Sequence, residues 1–156
     1  MITQKVELTP LDLNNSDHLG VMFRVRTHPA VCACMPGNPP KNFLEHTQYL
    51  YNVKNKVFFI IHDSDHLYGY CQATFHPDEI ELGWAIEPSC WGQGIGKQSV
   101  EQLLDVVRPH NKKIILYVQT NNERALGLYQ KYGFEMTQTM EDGIRYKMEL
   151  KDASSS

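Results

Sequence analysis

Most apolar residues in the middle of the chain fall in short runs that are separated by turn residues. Runs of this kind, rich in β-branched and aromatic side chains, predict strands, and short turns between them predict antiparallel pairing. The turn residues lie at 63–66 and at 76–78. We therefore expect an antiparallel meander, with strands at 57–62, 67–75 and 80–86.

Upstream of the meander, apolar residues recur at the three- and four-residue spacing of a helix. A dense group of helix-capping residues at 14–17 predicts the start of a first helix, which ends near His28-Pro29. A second helix is predicted at 42–52. Its expected inner side carries Phe43, Tyr49 and Leu50.

Downstream of the meander, helical and strand patterns alternate. The predicted elements are a helix at 94–108, a strand at 113–119, a helix at 122–132 and a final pair of strands at 134–140 and 144–150 that turn at 141–143. An antiparallel meander followed by alternating helices and strands predicts a mixed α/β domain with helices packed on one sheet.

The segments around these elements are less regular. Weak alternation at 2–8 predicts an edge strand that ends at Thr9-Pro10, and the proline-rich segment 35–40 predicts a rigid loop. We expect a single domain over 1–150, followed by a disordered tail at 151–156 that has no apolar anchor.

Composition and charge narrow the function classes. The chain has 156 residues and a net charge of -3, which gives no general attraction to nucleic acid or to an anionic membrane. No apolar run approaches a membrane span, and the N-terminal residues lack the apolar core of a signal peptide. The expected protein is cytoplasmic, binds neither nucleic acid nor membrane, and is either a monomer or a homodimer.

The cysteines do not suggest a metal site or a disulfide framework. They occur at Cys32, Cys34, Cys71 and Cys90, without a Cys-x-x-Cys pair or a paired His element. We expect free, mostly buried thiols and no metal.

The segment 91–97, Trp-Gly-Gln-Gly-Ile-Gly-Lys, lies between a predicted strand and a predicted helix. Three alternating glycines leave backbone N–H groups unobstructed at the positive end of a helix dipole, which predicts an anion cradle. Trp91 and Gln98 stand where a Walker A loop needs Gly and Ser or Thr, and Lys97 stands where a dinucleotide fingerprint needs its third Gly. The structural alternative is a turn that only lets strand and helix pack together.

The cradle and a second motif downstream both match known patterns. In the cradle, Gly94 and Gly96 match the pattern Arg/Gln-x-x-Gly-x-Gly/Ala. The second motif has the pattern Asn-x-x-Ala-x-x-Leu-Tyr-x-Lys-x-Gly-Phe, with matches at Asn122, Ala125, Leu128, Tyr129, Lys131, Gly133 and Phe134. Together these blocks resemble the acetyl-CoA-dependent N-acetyltransferase superfamily, GNAT, strongly over about 80–135. Trp91 departs from the usual Arg or Gln.

The resemblance implies the GNAT fold, in which two central strands splay apart and admit the cofactor, and it implies acetyl-CoA as co-substrate. Backbone groups of Trp84, Ala85 and Ile86 would bind the pantetheine arm, while the plain alternative for them is a core strand. The diphosphate would lie on the amides of Gly92, Gln93, Gly94, Ile95, Gly96 and Lys97. Lys97 either adds a charge-assisted contact or is solvated, and Asn122 caps its helix, contacts the cofactor, or does both.

The same resemblance gives two candidate catalytic residues. Tyr129 would protonate the leaving thiolate, and its alternative is a core tyrosine with a satisfied hydroxyl. An alkylammonium with a pKa of about 10 needs a base at neutral pH. Glu81 is the first candidate base, against a solvated or ion-paired carboxylate, and His28 and His46 are further candidates. His62, His66, His76 and His110 fall at turns or strand ends and are expected to be solvated.

The acceptor side is less well defined. The segment 24–29, Arg-Val-Arg-Thr-His-Pro, resembles the Trp-Arg-Asn-x-Pro segment of GNAT enzymes that acetylate nucleotide-linked amino sugars, with matches at Arg26 and Pro29. Arg26 and His28 are the expected acceptor-binding residues, and arginine here could pair with a diphosphate. The alternative is that these arginines only stabilise a helix C-terminus.

Three functions follow as hypotheses. The first is N-acetylation of a primary amine of a small metabolite by direct attack on acetyl-CoA, with a nucleotide-linked amino sugar as the narrower acceptor. The second is acetylation of a protein N-terminus or lysine, for example of a ribosomal protein. The third is a non-catalytic module that binds acyl-CoA.

Overall fold

A computed structural model describes residues 5–35 and 37–151 of the protein. Within these residues a single sheet has seven strands in the order β1-β2-β3-β4-β5-β7-β6. The strands are β1 (Glu7–Pro10), β2 (Lys56–His62), β3 (Leu67–Phe75), β4 (Glu79–Ile86), β5 (Lys113–Gln119), β6 (Phe134–Thr139) and β7 (Arg145–Leu150). The helices are α1 (Ser16–Thr27), α2 (Pro29–Cys32), α3 (Phe43–Asn52), α4 (Ile95–Val107) and α5 (Glu123–Lys131).

The sheet is mixed, as the order of the elements predicts. Strands β2 to β4 form the expected antiparallel meander, and β1 pairs antiparallel with β2 at the edge of the sheet. Strand β7 pairs antiparallel with both β5 and β6. Only β4 and β5 are parallel, because α4 carries the chain between them. The predicted mixed α/β class is confirmed.

The parallel pair β4 and β5 stays together for only half of its length. The register runs from Glu79 opposite Lys113 to Leu82 opposite Leu116 and then stops. Beyond that point β4 continues to pair with β3 as far as Ile86, and β5 continues to pair with β7 as far as Gln119. The two strands therefore splay apart and open a wedge in the middle of the sheet, as expected from the family resemblance.

Helices cover both faces of this sheet. On one face α4 and α5 pack over a core that includes Ile80, Leu82 and Leu116. On the other face α1 and α3 pack over a second core that includes Phe58, Tyr70 and Ala85. Because side chains alternate along a strand, β4 contributes to both cores and lines both sides of the wedge.

Local capping sets the helix starts. The Asn15 side chain accepts hydrogen bonds from the amides of Asp17 and His18 at 2.9 and 3.1 Å, and Asn42 accepts one from the amide of Glu45 at 2.8 Å. These bonds satisfy amides that have no partner within the helix. The predicted starts of α1 and α3 are confirmed.

The predicted ends of the edge strand and of the first helix are confirmed, because β1 ends at Pro10 and α1 ends at Thr27 with His28 as its C-cap. Strand β1 runs through Pro10, which pairs with Phe59, because an edge strand tolerates a residue without an N–H. Pro29 does not only end α1, since it also begins the short helix α2, where proline fits the first turn. Of the predicted edge strand 2–8, residues 2–4 lie outside the described part, as do Pro36 of the loop and 152–156 of the tail.

The inner side of α3 also differs from the expectation. His46 and Leu50 are buried, whereas Phe43 and Tyr49 are 43% and 46% exposed. Phe43 lies edge-on against Phe23 of α1, with the ring centroids 5.6 Å apart. The contact with α1 thus pairs rings at the rim and turns His46 toward the interior.

All four cysteines are free, as predicted, but they are not mostly buried. Only Cys71 of β3 is buried, Cys32 and Cys90 are half-buried, and Cys34 is exposed. Over the described residues, no helix is long and apolar enough to cross a membrane.

Candidate active site

A cavity of about 840 Å³ occupies the wedge between β4 and β5. It extends from the loop before α4, past the N-terminal end of α5, to the space under α1 and α3. Of the predicted site residues, the cavity is lined by Arg26, Glu81, Trp84, Ala85, Ile86, Gly92, Gly96, Asn122 and Tyr129. The structure therefore brings most of the predicted site into one space.

The predicted anion cradle has the expected backbone geometry. Gly92 and Gly94 have φ angles of +80° and +85°, which residues with a side chain rarely adopt. Gly94 is the N-cap of α4 and makes no side-chain capping bond. None of the amides of residues 92–97 has an acceptor among the described residues, and the next amide, of Gln98, bonds to the Gly94 carbonyl at 3.2 Å. This end of α4 thus presents unpaired donors to an anion.

Some of the predicted cradle residues offer only their backbone. The Ile95 side chain is buried in the core, and the Gln93 amide group donates to the Ser89 carbonyl at 3.3 Å. Lys97 is exposed, and neither it nor Gly94 lines the cavity. For Lys97, the charge-assisted contact stays a prediction.

Trp91, at the position where the family motif has Arg or Gln, uses its side-chain donor within the protein. Its indole nitrogen donates a hydrogen bond to the Ile86 carbonyl at 2.8 Å. This bond ties the cradle loop to the end of β4.

Arg124, in the first turn of α5, reaches the cradle from the opposite side. Its Nη2 lies 3.6 Å from the position that a Cβ on Gly92 would take. Sequence reasoning did not single out Arg124. The available signal was a cation two residues after Asn122, at the start of the helix that follows β5.

The edge of β4 that faces the wedge continues the cradle inward. Trp84, Ala85 and Ile86 line the cavity, beyond the last residue of β4 that pairs with β5. The Trp84 indole nitrogen is buried and has no hydrogen-bond partner among the described residues. An open strand edge suits an extended, amide-containing arm such as pantetheine.

Tyr129 projects from α5 into the same space. Its ring lies against Trp84, with the centroids 5.5 Å apart, and meets Phe134 edge-on at 6.0 Å. Burial raises the pKa of Tyr129 well above its ordinary value, so the phenol keeps its proton at neutral pH. The hydroxyl has no partner among the described residues. Asn122 caps α5 by accepting from the amide of Ala125 at 3.2 Å and also lines the cavity.

Glu81 lies just before the strands separate, on the face of β4 that also carries Ala85. It therefore faces the α1 and α3 side, opposite Trp84 and Tyr129. Its Oε1 is 3.0 Å from Nε2 of His76, and both side chains are partly exposed. His76 was expected to be solvated, yet it is the hydrogen-bond partner of the candidate base.

His46 is buried on the α1 and α3 side of the cavity. Its exposed fraction is 4%, and its Nε2 has no partner among the described residues. Burial, together with the positive charge of Arg26, lowers the pKa of His46, so the ring is neutral at pH 7. His28, in contrast, is exposed outside the cavity, where its Nδ1 accepts from the amide of Ala30 at 3.1 Å.

Charged side chains of both signs line this side of the cavity. Arg26, Lys56 and Arg145 line it together with the carboxylates of Glu45 and Glu81. Arg145 lies over the Tyr117 ring at 5.3 Å and is paired with Asp142, while Lys56 lies 5.9 Å from the Tyr49 ring. Over the described residues, no group of three or more His, Cys, Asp or Glu side chains could hold a metal ion.

The family model for the acetyltransferase (GNAT) family matches residues 25–134. The chain is 28% identical over 80 residues to a protein of Bacillus subtilis (strain 168) named as a putative ribosomal protein bS18-alanine N-acetyltransferase, and the match covers 50% of the chain and 53% of that protein. It is 36% identical over 77 residues to an uncharacterized protein of Mycobacterium leprae (strain TN), covering 46% of the chain and 21% of that protein. The chain thus spans about half of the first relative and about a fifth of the second.

Several solved structures share the whole fold. A domain from Methanocaldococcus jannaschii DSM 2661 has a TM-score of 0.81 at 21% identity, covering 94% of this chain and 98% of that one. The spermidine N-acetyltransferase from Vibrio cholerae in complex with CoA and spermine has a TM-score of 0.80 at 18% identity, covering 94% and 95%. AAC(6')-Ib in complex with parmomycin and acetyl-CoA has a TM-score of 0.78 at 17% identity, covering 97% and 96%. At these identities the likeness shows the fold.

Proposed function

The chain belongs to the acetyltransferase (GNAT) family, and on that premise we propose that it transfers an acetyl group from acetyl-CoA to the primary amine of a small metabolite. One observation carries the proposal. The unpaired amide cradle, the open edge of β4 and the unpartnered Tyr129 hydroxyl all border a single cavity. An anionic carrier with an extended arm needs this sequence of features.

The residues present fit acetyl-CoA. The amides of 92–97 would hold its diphosphate, and the edge of β4 at Trp84, Ala85 and Ile86 would pair with the pantetheine arm. When bound, acetyl-CoA supplies an acetyl group already activated as a thioester.

The proposed proton donor and proton acceptor lie on opposite sides of the wedge. Tyr129, on the α5 side, holds its proton and donates it toward the departing sulfur. Glu81, on the α1 and α3 side, accepts a proton from the acceptor ammonium, and His76 orients its carboxylate. His46 is the alternative base, because its ring is neutral and its Nε2 is unpartnered. An acceptor that enters from the α1 and α3 side would reach the base on that side, while the acid lies on the opposite face of the sheet.

The charges favour an acceptor that carries an anionic group. The cationic side chains of Arg26 and Lys56, and that of Arg145 beside its partner Asp142, suit the diphosphate of a nucleotide-linked amino sugar. The narrower proposal for the acceptor is therefore a nucleotide-linked amino sugar. A protein N-terminal alanine is a second candidate, on the strength of the name of the Bacillus subtilis relative.

Release of free thiol from acetyl-CoA, measured with a panel of acceptors, tests this function. The panel contains nucleotide-linked amino sugars, amino acids, spermidine, an aminoglycoside and an alanine-led peptide. Turnover is expected with an anionic amine. Turnover with spermidine alone would contradict the charge argument, and turnover with the peptide alone would favour the second candidate.

Replacing Tyr129 by Phe tests the catalytic assignment. We expect kcat to fall about 100-fold or more because the proton donor is lost, while the Kd for acetyl-CoA changes less than about twofold. Tyr132→Phe is the matched control, since the Tyr132 hydroxyl bonds to Glu101 at 2.6 Å and does not line the cavity. If Tyr129→Phe turns over as fast as the parent, Tyr129 is not the acid. Binding of acetyl-CoA without turnover of any acceptor would favour a non-catalytic module.

A further inference from the structure

We infer that the Arg124 guanidinium binds the diphosphate of acetyl-CoA and supplies the side-chain contact that the family motif places at position 91, where this chain has Trp. The inference rests on the proposed function, because it assumes that the cradle holds this carrier. Arg124 would then be a further ligand-binding residue of α5, in addition to Tyr129 and the N-cap residue Asn122.

Trp91 does not make such a contact itself. An indole has a single hydrogen-bond donor, and that donor is used by the Ile86 carbonyl at 2.8 Å. An Arg or Gln at this position would bring several donors. In this chain residue 91 therefore ties the loop to β4 and offers the cradle no free side-chain donor.

Arg124 is placed to supply that donor. Its Nη2, Nη1 and Cζ atoms lie 3.6, 3.9 and 4.0 Å from the Cβ position of Gly92, so the guanidinium lies against the first glycine of the cradle. Gly92 has no side chain, which leaves this approach open. Arg124 also lines the cavity.

The guanidinium has no counter-charge within the described residues. The ion pairs found there involve other side chains, and no hydrogen bond to Arg124 side-chain nitrogens is present. Its neighbours in the cradle are unpaired N–H groups at the positive end of α4. Two groups of like sign therefore converge at Gly92, and an anion between them removes the repulsion.

The chemistry of the donors favours a phosphate. Guanidinium presents donors in a planar fork that matches phosphate oxygens, and charge-assisted bonds of this type are the strong ones. Because Gly92 opens the row of amides assigned to the diphosphate, Arg124 is assigned to the diphosphate and not to the 3′-phosphate of the carrier.

The test measures binding by calorimetry for CoA, for 3′-dephospho-CoA and for pantetheine, which lacks phosphate. Arg124→Gln removes the charge at similar length. The Kd for CoA and for 3′-dephospho-CoA should each rise about tenfold or more, and the Kd for pantetheine should change less than about twofold. In steady-state assays the KM for acetyl-CoA should rise while kcat at saturation stays within about twofold.

Lys131→Gln is the matched control, because it removes the same charge from the far end of the same helix, outside the cavity. It should leave all three affinities unchanged. The difference between Arg124→Gln and the parent should also shrink in about 0.5 M salt, where exposed charges are screened.

Three results would overturn the assignment to the diphosphate. They are an unchanged Kd for CoA in Arg124→Gln, an equal loss of affinity for pantetheine, and a loss for CoA that is absent with 3′-dephospho-CoA. If the parent protein itself does not bind CoA, the proposed function fails and this inference fails with it. A parent that binds CoA with an unaffected Arg124→Gln variant leaves the proposed function standing.

Discussion

At the level of single residues, the cleft is marked by polar atoms that lack a partner. Within the described part of the chain, the buried Trp84 indole nitrogen and the buried His46 Nε2 have no hydrogen-bond partner, and both residues line one cavity together with the half-buried Tyr129. Buried polar groups are almost always hydrogen-bonded in folded proteins. We therefore expect a ligand in this cavity to satisfy these two atoms.

Of the two candidate bases that line the cavity, Glu81 has His76 as a hydrogen-bond partner, whereas His46 Nε2 has none among the described residues. Replacing Glu81 by Gln should lower kcat about 100-fold or more, because an amide cannot accept the proton of the acceptor. Glu79→Gln is the control: Glu79 lies two residues earlier on the same strand, pairs with Lys147 at 3.4 Å and does not line the cavity. Steady-state kinetics across pH 6 to about 9 measures both variants. Full activity in Glu81→Gln and loss in His46→Gln would move the role to His46.

At the level of elements, the shape of the wedge depends on how β3 holds the free end of β4. The register between β2 and β3 shifts opposite Tyr68, between Ile61 and His62. Next to this irregularity Gly69 has a φ of +156°, and a Cβ there would lie 2.1 Å from the Ala85 carbonyl oxygen. The Tyr68 carbonyl accepts from the amide of Glu87 at 2.8 Å. This contact fixes the end of β4 while its other edge is free.

Gly69→Ala should destabilise the protein by about 2 kcal/mol or more, because a strained backbone angle and a backbone clash occur together. Urea unfolding followed by circular dichroism measures the loss. Gly20→Ala is the control, since no atom lies within 4 Å of the added methyl group in α1 and alanine is the better helix former. It should raise the stability by up to about 1 kcal/mol. Equal stability of Gly69→Ala and the parent would show that the end of β4 relaxes readily.

At the level of the whole molecule, two helical layers and one sheet enclose the wedge between β4 and β5. The α4 and α5 layer carries the cradle, Arg124 and Tyr129, while the α1 and α3 layer faces Glu81 and His46. The strands β4 and β5 are joined by only the pairs from Glu79–Lys113 to Leu82–Leu116. A ligand that fills the wedge would therefore contact both halves of the molecule.

Acetyl-CoA should for this reason stabilise the fold as a whole. At about 100 times its Kd, a ligand that binds only the folded state adds about 2.7 kcal/mol to the free energy of unfolding. Thermal unfolding with and without acetyl-CoA measures the shift, and ATP at the same concentration is the control for a nonspecific effect of phosphate. No shift at millimolar acetyl-CoA, or an equal shift with ATP, would contradict a specific site.

Much of the fold was predictable because its signals are local. The capping residues Asn15 and Asn42, the runs that became β2 and β3, and the glycines of the cradle act on their own neighbours in the chain. Errors arose where distant contacts decide. The buried side of α3, for example, follows from its contact with α1.

The sequence by itself determined the order of the elements, the position of the cradle and the family motif around Tyr129, because each depends on residues close together in the chain. Only the tertiary structure placed Arg124 on Gly92, His76 on Glu81 and His46 beside the cavity. These contacts join separate elements, and their side chains carry no periodic or capping signal. The splayed sheet decides them, since it sets which helix ends and strand edges face one another across the wedge.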